Sequence, residues 1–136
     1  MAVAEVGAYE IRGTIRTLIA DADYTTTGQY RFVHIEATTG NAVLNSANTD
    51  KTYGVLQNRP NVGEPASVMI NGISFVSADS AVVAGDSIGS SSDGQADTIA
   101  EGSDTTIYKV GTCLVAAANA GELATIELNL PAGRAS

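Results

Sequence analysis

At 136 residues the chain is long enough for one well-cored domain and too short for two, and a composition of 44% apolar and 16% charged residues excludes a disordered tail. A core of this size closes without metal or disulfide staples. The formal charge of −8 is unevenly spread, with five basic and six acidic groups up to Arg59 but only Lys109 and Arg134 against nine acids from Pro60 onward; such a surface repels polyanions, so nucleic acid is a poor partner.

Met1–Glu5 lacks the basic start and apolar run of a signal peptide, and no apolar stretch approaches the roughly 18 residues of a membrane helix, so a soluble, unexported product without a membrane partner is expected. Tyr9–Ile19 alternates through Ile11, Gly13, Ile15 and Thr17 against Arg12, Thr14 and Arg16 and predicts a strand. Asp21–Gln29 has loop composition. Residues 1–29 therefore read as an N-terminal arm, or as a first strand with its loop, ahead of a β-rich domain over 30–136. The segment up to Asp23 offers little core, so its removal is expected to leave folding intact. Asp21-Ala22-Asp23 imitates the start of a calcium loop. Thr26 stands where that loop needs glycine and Phe32 where it needs a bidentate acid, so no metal is expected.

Tyr30–Glu36 alternates with mixed faces, Asn41–Asn45 is a short strand, and Ser46–Thr52 is loop. Tyr53–Ile70 reads as strand, turn, strand, because Pro60 and Pro65 cannot donate to a ladder and Gly63 permits a positive φ. Asn71-Gly72 is a strong two-residue turn signal and predicts a hairpin over Ala66–Val76. Ala84–Ile88 gives a turn and a short strand, and Asp93-Gly94 a tight reversal before Ala96–Ala100. Ile107–Ala117 and Glu122–Leu130 follow as two strands across Asn119-Ala120-Gly121. Fourteen glycines, no tryptophan and short apolar runs point the same way. The fold predicted is all-β, a single small β-barrel or β-sandwich domain of short strands with an extended N-terminal segment.

The residues that could carry chemistry do not assemble into a pattern. Cys113, the only cysteine, lies in an apolar run and reads as a small buried hydrophobe; His34, the only histidine, reads as a strand residue bonded locally. Asp86 and Asp93 could be imagined as an acid/base pair for glycoside hydrolysis, but each belongs to a glycine-containing turn where aspartate bonds its own backbone. The Ala84–Ile88 turn also resembles turns of small β-domains that carry a swinging cofactor or bind a small ligand. A carrier needs a lysine at a hairpin tip, whereas Lys51 lies in a loop and Lys109 within a strand. The reading is of no catalytic, cofactor-binding or metal residues and no enzyme. Gly54 and Gly63 read as turn or close-packing positions, and Gln57-Asn58-Arg59 as a hairpin loop.

The series Gly54-Val55-Leu56-Gln57-Asn58-Arg59-Pro60-Asn61-Val62-Gly63-Glu64, then Asn71-Gly72, Val83-Ala84-Gly85-Asp86, Asp93-Gly94, and Val110-Gly111 through Ala118-Gly121-Glu122-Leu123 resembles the capsid cement, or head decoration, proteins of tailed phages. The likeness spans about residues 28–130, with Gly54–Glu64 its most specific part, and leaves Met1–Gln29 unaligned. It implies a structural virion protein, made in the host cytoplasm. Such a subunit binds the major capsid protein on the outer surface of an assembled head, often as a homotrimer near threefold positions, and stabilises the capsid. The alternatives are a small β ligand-binding or carrier-like module, or another virion structural component such as a tail-tube or head-fibre protein.

Overall fold

The computed structural model describes residues 10–134, and for Pro131–Arg134 the backbone only. It is all-β: β1 (Arg12–Ile19), β2 (Phe32–Ile35), β3 (Ala42–Leu44), β4 (Gly54–Leu56), β5 (Pro65–Ser77), β6 (Ser87–Ser90), β7 (Ala96–Thr98), β8 (Tyr108–Val115) and β9 (Leu123–Arg134). They form one antiparallel sheet in the order β3-β2-β4-β5-β9-β8-β6-β7, with β1 added against β5, curled into a half-barrel. Bridges Ala20↔Ala42 and Ala78↔Ala96 draw the two ends of the curl inward.

β5 is the hub. Val68 and Met69 pair with both β1 and β4, whereas Gly72 and Ile73 pair with both β1 and β9. β4 and β9 therefore follow one another along the edge of β5 that β1 leaves open. Both faces of the sheet are covered, which is why the central strands read as continuous apolar runs. One core gathers Ala20, Tyr24, Val33, Ala42, Leu56, Ala66 and Val68, with Leu18 and Ile70 against it. The other gathers Phe32, Val55, Met69, Val76, Ile88, Val110, Cys113 and Ile126. Neighbours such as Phe32 and Val33, or Val55 and Leu56, belong to opposite cores, as the period of two requires.

The hairpin predicted at Asn71-Gly72 does not form: β5 runs unbroken from Pro65 to Ser77. Thr14 pairs with Asn71 but Ile15 with Met69, so Ile70 is an extra residue, a β-bulge. The bulge shifts the alternation by one, so that the core shared by Met69 below it is reached by Val76 above it. Gly72 has φ 105°, and opposite it lies Gly13. A Cβ on Gly72 would stand 2.3 Å from the Arg12 carbonyl oxygen, and one on Gly13 would stand 1.9 Å from that of Asn71. The Asn-Gly pair marks a close backbone crossing within a continuous strand and not a turn.

Among residues 10–23 Ala20 alone is buried, with Ile11 and Leu18 packed in part against the cores, so the segment offers little core but does add a strand. Met1–Tyr9 lie outside the described residues, but β1 lines β5 over eight residues and Ala20 is fully buried. Its amide donates to the Glu64 carbonyl at 2.9 Å, and that of Asp21 to Ala42 at 3.0 Å.

Candidate interaction surface

The sequence candidates are occupied in holding the fold. The Asn45 side chain, itself buried, donates from Nδ2 to Thr52 Oγ1 at 2.8 Å, so its Oδ1 accepts from His34 Nδ1 at 2.9 Å and selects that tautomer. Asp50 Oδ2 lies 3.6 Å from the same ring nitrogen while accepting the amides of Ser46 and Ala47. Cys113 is buried, and its thiol points to the Val115 carbonyl at 3.4 Å. Burial, with the Asp86 charge adding to it, pushes that thiol up from its ordinary pKa, the opposite of activation.

Asp86 and Asp93 each close their own turn. Asp86 Oδ2 accepts the Val83 amide at 2.9 Å and the Thr98 hydroxyl at 3.1 Å. Asp93 accepts a short hydrogen bond from Ser91. Its neighbour is Asp79. Burial, then the charges of Asp93 and Asp97, raise the Asp79 pKa; for Asp93 burial acts upward too, but bonds from Ser91 and Gln95 and the nearby Arg31 outweigh it and lower the value. Asp23 accepts from Thr25, and no group of three or more metal-ligating side chains occurs among the described residues.

The Gly54–Glu64 run is β4 and the loop that follows it, tied by hydrogen bonds to β5 and to Gln29. Gln57 Nε2 donates to the Val55 carbonyl and to Ser74 Oγ, and Asn58 bridges the Pro65 carbonyl and the Ser67 amide. Arg59 Nε donates to Gln29 at 2.8 Å, and Glu64 accepts the Asn61 amide at 2.8 Å. A Cβ on Gly54 would meet the Met69 carbonyl oxygen at 2.4 Å, and Gly63 takes φ 82°. These positions are close-packing and turn positions, as read from the sequence. The motif therefore encodes a loop shape, and its side chains are spent within the subunit.

Two further surface features emerge from the fold. Where β4 and β9 part from β5, a cleft of about 600 Å³ opens, lined by His34, Ile35, Tyr53, Ile70 and Leu130 with Lys51 at its side. Of the exposed large apolar side chains, Ile15 (43%), Ile19 (42%) and Val62 (61%) gather along β1 and the loop bonded to its end. The alternation of Ile11, Ile15 and Ile19 was a legible signal for that stripe, but its exposure depends on β1 having a single partner.

A single curled antiparallel sheet, with no helix among the described residues, defines the class as a small all-β domain. No protein-family model and no curated protein matches the sequence. Among solved structures, the chain is similar to the head fiber gp8.5 N base of bacteriophage phi29, with a TM-score of 0.64 and 18% identity over 85% of this chain and 93% of that one. At this identity the likeness is one of fold.

Proposed function

We propose that this chain is a structural virion protein of a phage head, a decoration subunit bound to the outer surface of the assembled shell. The observation that carries the reading is the fold it shares, over most of both chains, with the base of a phage head fiber. The Gly54–Glu64 series supports the finer assignment to the cement type, with the major capsid protein as partner and three copies meeting at a threefold position. Symmetry lets a weak contact per subunit add up to strong attachment, so a domain of this size suffices. The same comparison favours a second reading, in which the domain is the base of an appendage and does not reinforce the shell.

The test is co-sedimentation with undecorated heads of the source phage, followed by imaging of the pellet. Saturable binding at symmetric surface positions, with decorated heads surviving heating that ruptures bare ones, is the expected result. Binding without added stability selects the fibre base. No binding to immature or expanded heads overturns the proposal.

A further inference from the structure

β1 lies outside the main strand order and pairs only with β5. Its hydrogen-bonding direction can be read residue by residue. The Thr14 amide points to Asn71 Oδ1, and Ala20 exchanges bonds with Glu64 and Gly63, all on the β5 side; the next amide, of Asp21, points the other way to Ala42. With a period of two, the amides and carbonyls of Gly13, Ile15, Thr17 and Ile19 face away from β5. No described residue meets them. The other terminal strands are covered: β3 by Ala20 and Asp21, with the Leu44 amide donating to the Tyr24 hydroxyl, and β7 by Ala78, with the Asp79 amide donating to Ala96. Among the described residues β1 is thus the long open edge, about 27 Å at 3.4 Å per residue.

The two faces beside this edge differ in chemistry. On one, Ile15 stands opposite Met69 and Ile19 opposite Pro65, and Ile11, Ile15 and Met69 line a shallow groove that Arg12, Gln57 and Ser67 also border. On the other stand Arg12 and Arg16, both exposed. Arg12 has a salt bridge to Glu10 at 3.1 Å, and Arg16 has no ion pair among the described residues. Of the acids of the second half, Asp79, Asp93 and Asp97 lie at β7, at the far end of the strand order, while Glu127 stands across Ile73 from Arg12 and Glu64 beside the Ala20 end of β1; neither of these two forms an ion pair with Arg12 or Arg16 among the described residues.

We infer that the open edge of β1 takes up an extended segment of the shell protein by strand addition, a segment that alternates apolar residues over Ile15 and Ile19 with carboxylates beside Arg12 and Arg16. The inference rests on the head-binding reading and specifies the partner's chemistry. A second copy's β1 fits less well, since it would bring two more arginines to the face that already holds two.

Thr17→Pro tests it. The substitution removes one outward amide and no β1–β5 bond, and proline is tolerated in an edge strand whose N–H faces solvent. The variant should keep the wild-type circular dichroism and bind undecorated heads at least about tenfold more weakly, while Thr17→Val binds as wild type. An independent arm uses a blocked octapeptide of alternating glutamate and valine. It should slow hydrogen exchange of the Gly13, Ile15, Thr17 and Ile19 amides at least about tenfold, and the lysine–valine counterpart should not. Equal head binding by wild type and Thr17→Pro overturns the inference and leaves head binding standing. Slow exchange of these amides in the monomer alone means the edge is already covered and also overturns it; slowing that follows protein concentration assigns the edge to a second copy. If wild type binds no heads, the head-binding reading fails, and the peptide result alone decides the edge, as it does if Thr17→Pro does not fold.

Discussion

Gly72→Ala should destabilise the domain by about 3 kcal/mol. An L residue at positive φ costs about 1–2 kcal/mol, and Gly72 sits at φ 105°. The new Cβ would also lie 2.3 Å from the Arg12 oxygen and 2.5 Å from the Gly13 Cα. Neither atom belongs to a flexible side chain, so the β1–β5 ladder must open there and lose one or two hydrogen bonds at about 1 kcal/mol each. At about 2.1 cal/mol/K per residue, 136 residues give an unfolding entropy near 0.29 kcal/mol/K, so the melting temperature should fall by about 10 °C. Gly63→Ala is the matched control: its φ is 82°, yet nothing lies within 4 Å of the added methyl. It should cost only the conformational part, about 1 kcal/mol and 3–4 °C. Thermal and urea unfolding followed by circular dichroism measure both. If the two variants lose stability within about 0.5 kcal/mol of each other, the backbone crossing is not what Gly72 is there for.

Two further outcomes follow from titrating groups away from β1. Because burial and neighbouring charges raise the Asp79 pKa, the folded state binds its proton more tightly than the unfolded chain, and this carboxyl's contribution to stability falls as pH rises above the ordinary carboxylate range. Asp79→Asn should therefore raise the urea midpoint near pH 7 and lose that advantage toward about pH 3; an equal gain at both ends of that range would refute the assignment. Cys113, buried and held in its protonated form, should react with an aromatic disulfide reagent at least about a hundredfold more slowly in the native protein than in denaturant, and a fast native reaction would contradict its burial.

Local signals carried the strands a long way. The alternation in Tyr30–Glu36, the reversal at Asp93-Gly94 and the pair of strands across Asn119-Ala120-Gly121 all have their counterparts in β2, in the β6–β7 turn and in β8 with β9. What sequence could not show is what lies opposite. Asn71-Gly72 has the composition of a hairpin turn, and only the arrival of Gly13 across from it explains a glycine with positive φ inside a strand. The pairing of β5 with β9 joins Gly72 to Leu128, and that of β2 with β4 skips the strand between them. Openness of the β1 edge and the cleft between β4 and β9 are consequences of those distant pairings. In the series that carried the family resemblance, Glu64 is bonded within its own loop, whereas Gln57 and Asn58 tie that loop to β5 and Arg59 ties it to Gln29, so the order of these residues records how the loop is held in place.

An open strand edge is a hazard for a free subunit, since it offers unpaired amides and carbonyls to any chain in reach. β1 manages this with residues that serve its proposed role as well. Arg12 and Arg16 place two positive charges beside the edge, which disfavours pairing with an identical β1 and with basic segments. The apolar stripe of Ile15 and Ile19 remains half exposed, so the free energy gained is greatest for a segment that covers it and also places carboxylates beside the arginines. Selectivity at such an edge comes from the alternation of two chemistries at a spacing of two residues, which a strand supplies and a helix or a loop does not. Replacing both arginines with glutamate should therefore invert the peptide preference, so that the lysine–valine octapeptide slows exchange at Gly13, Ile15, Thr17 and Ile19 and the glutamate–valine one does not. Were the preference to stay as in the wild type, the charges would be bystanders and the specificity of the edge would have to lie in its apolar face alone.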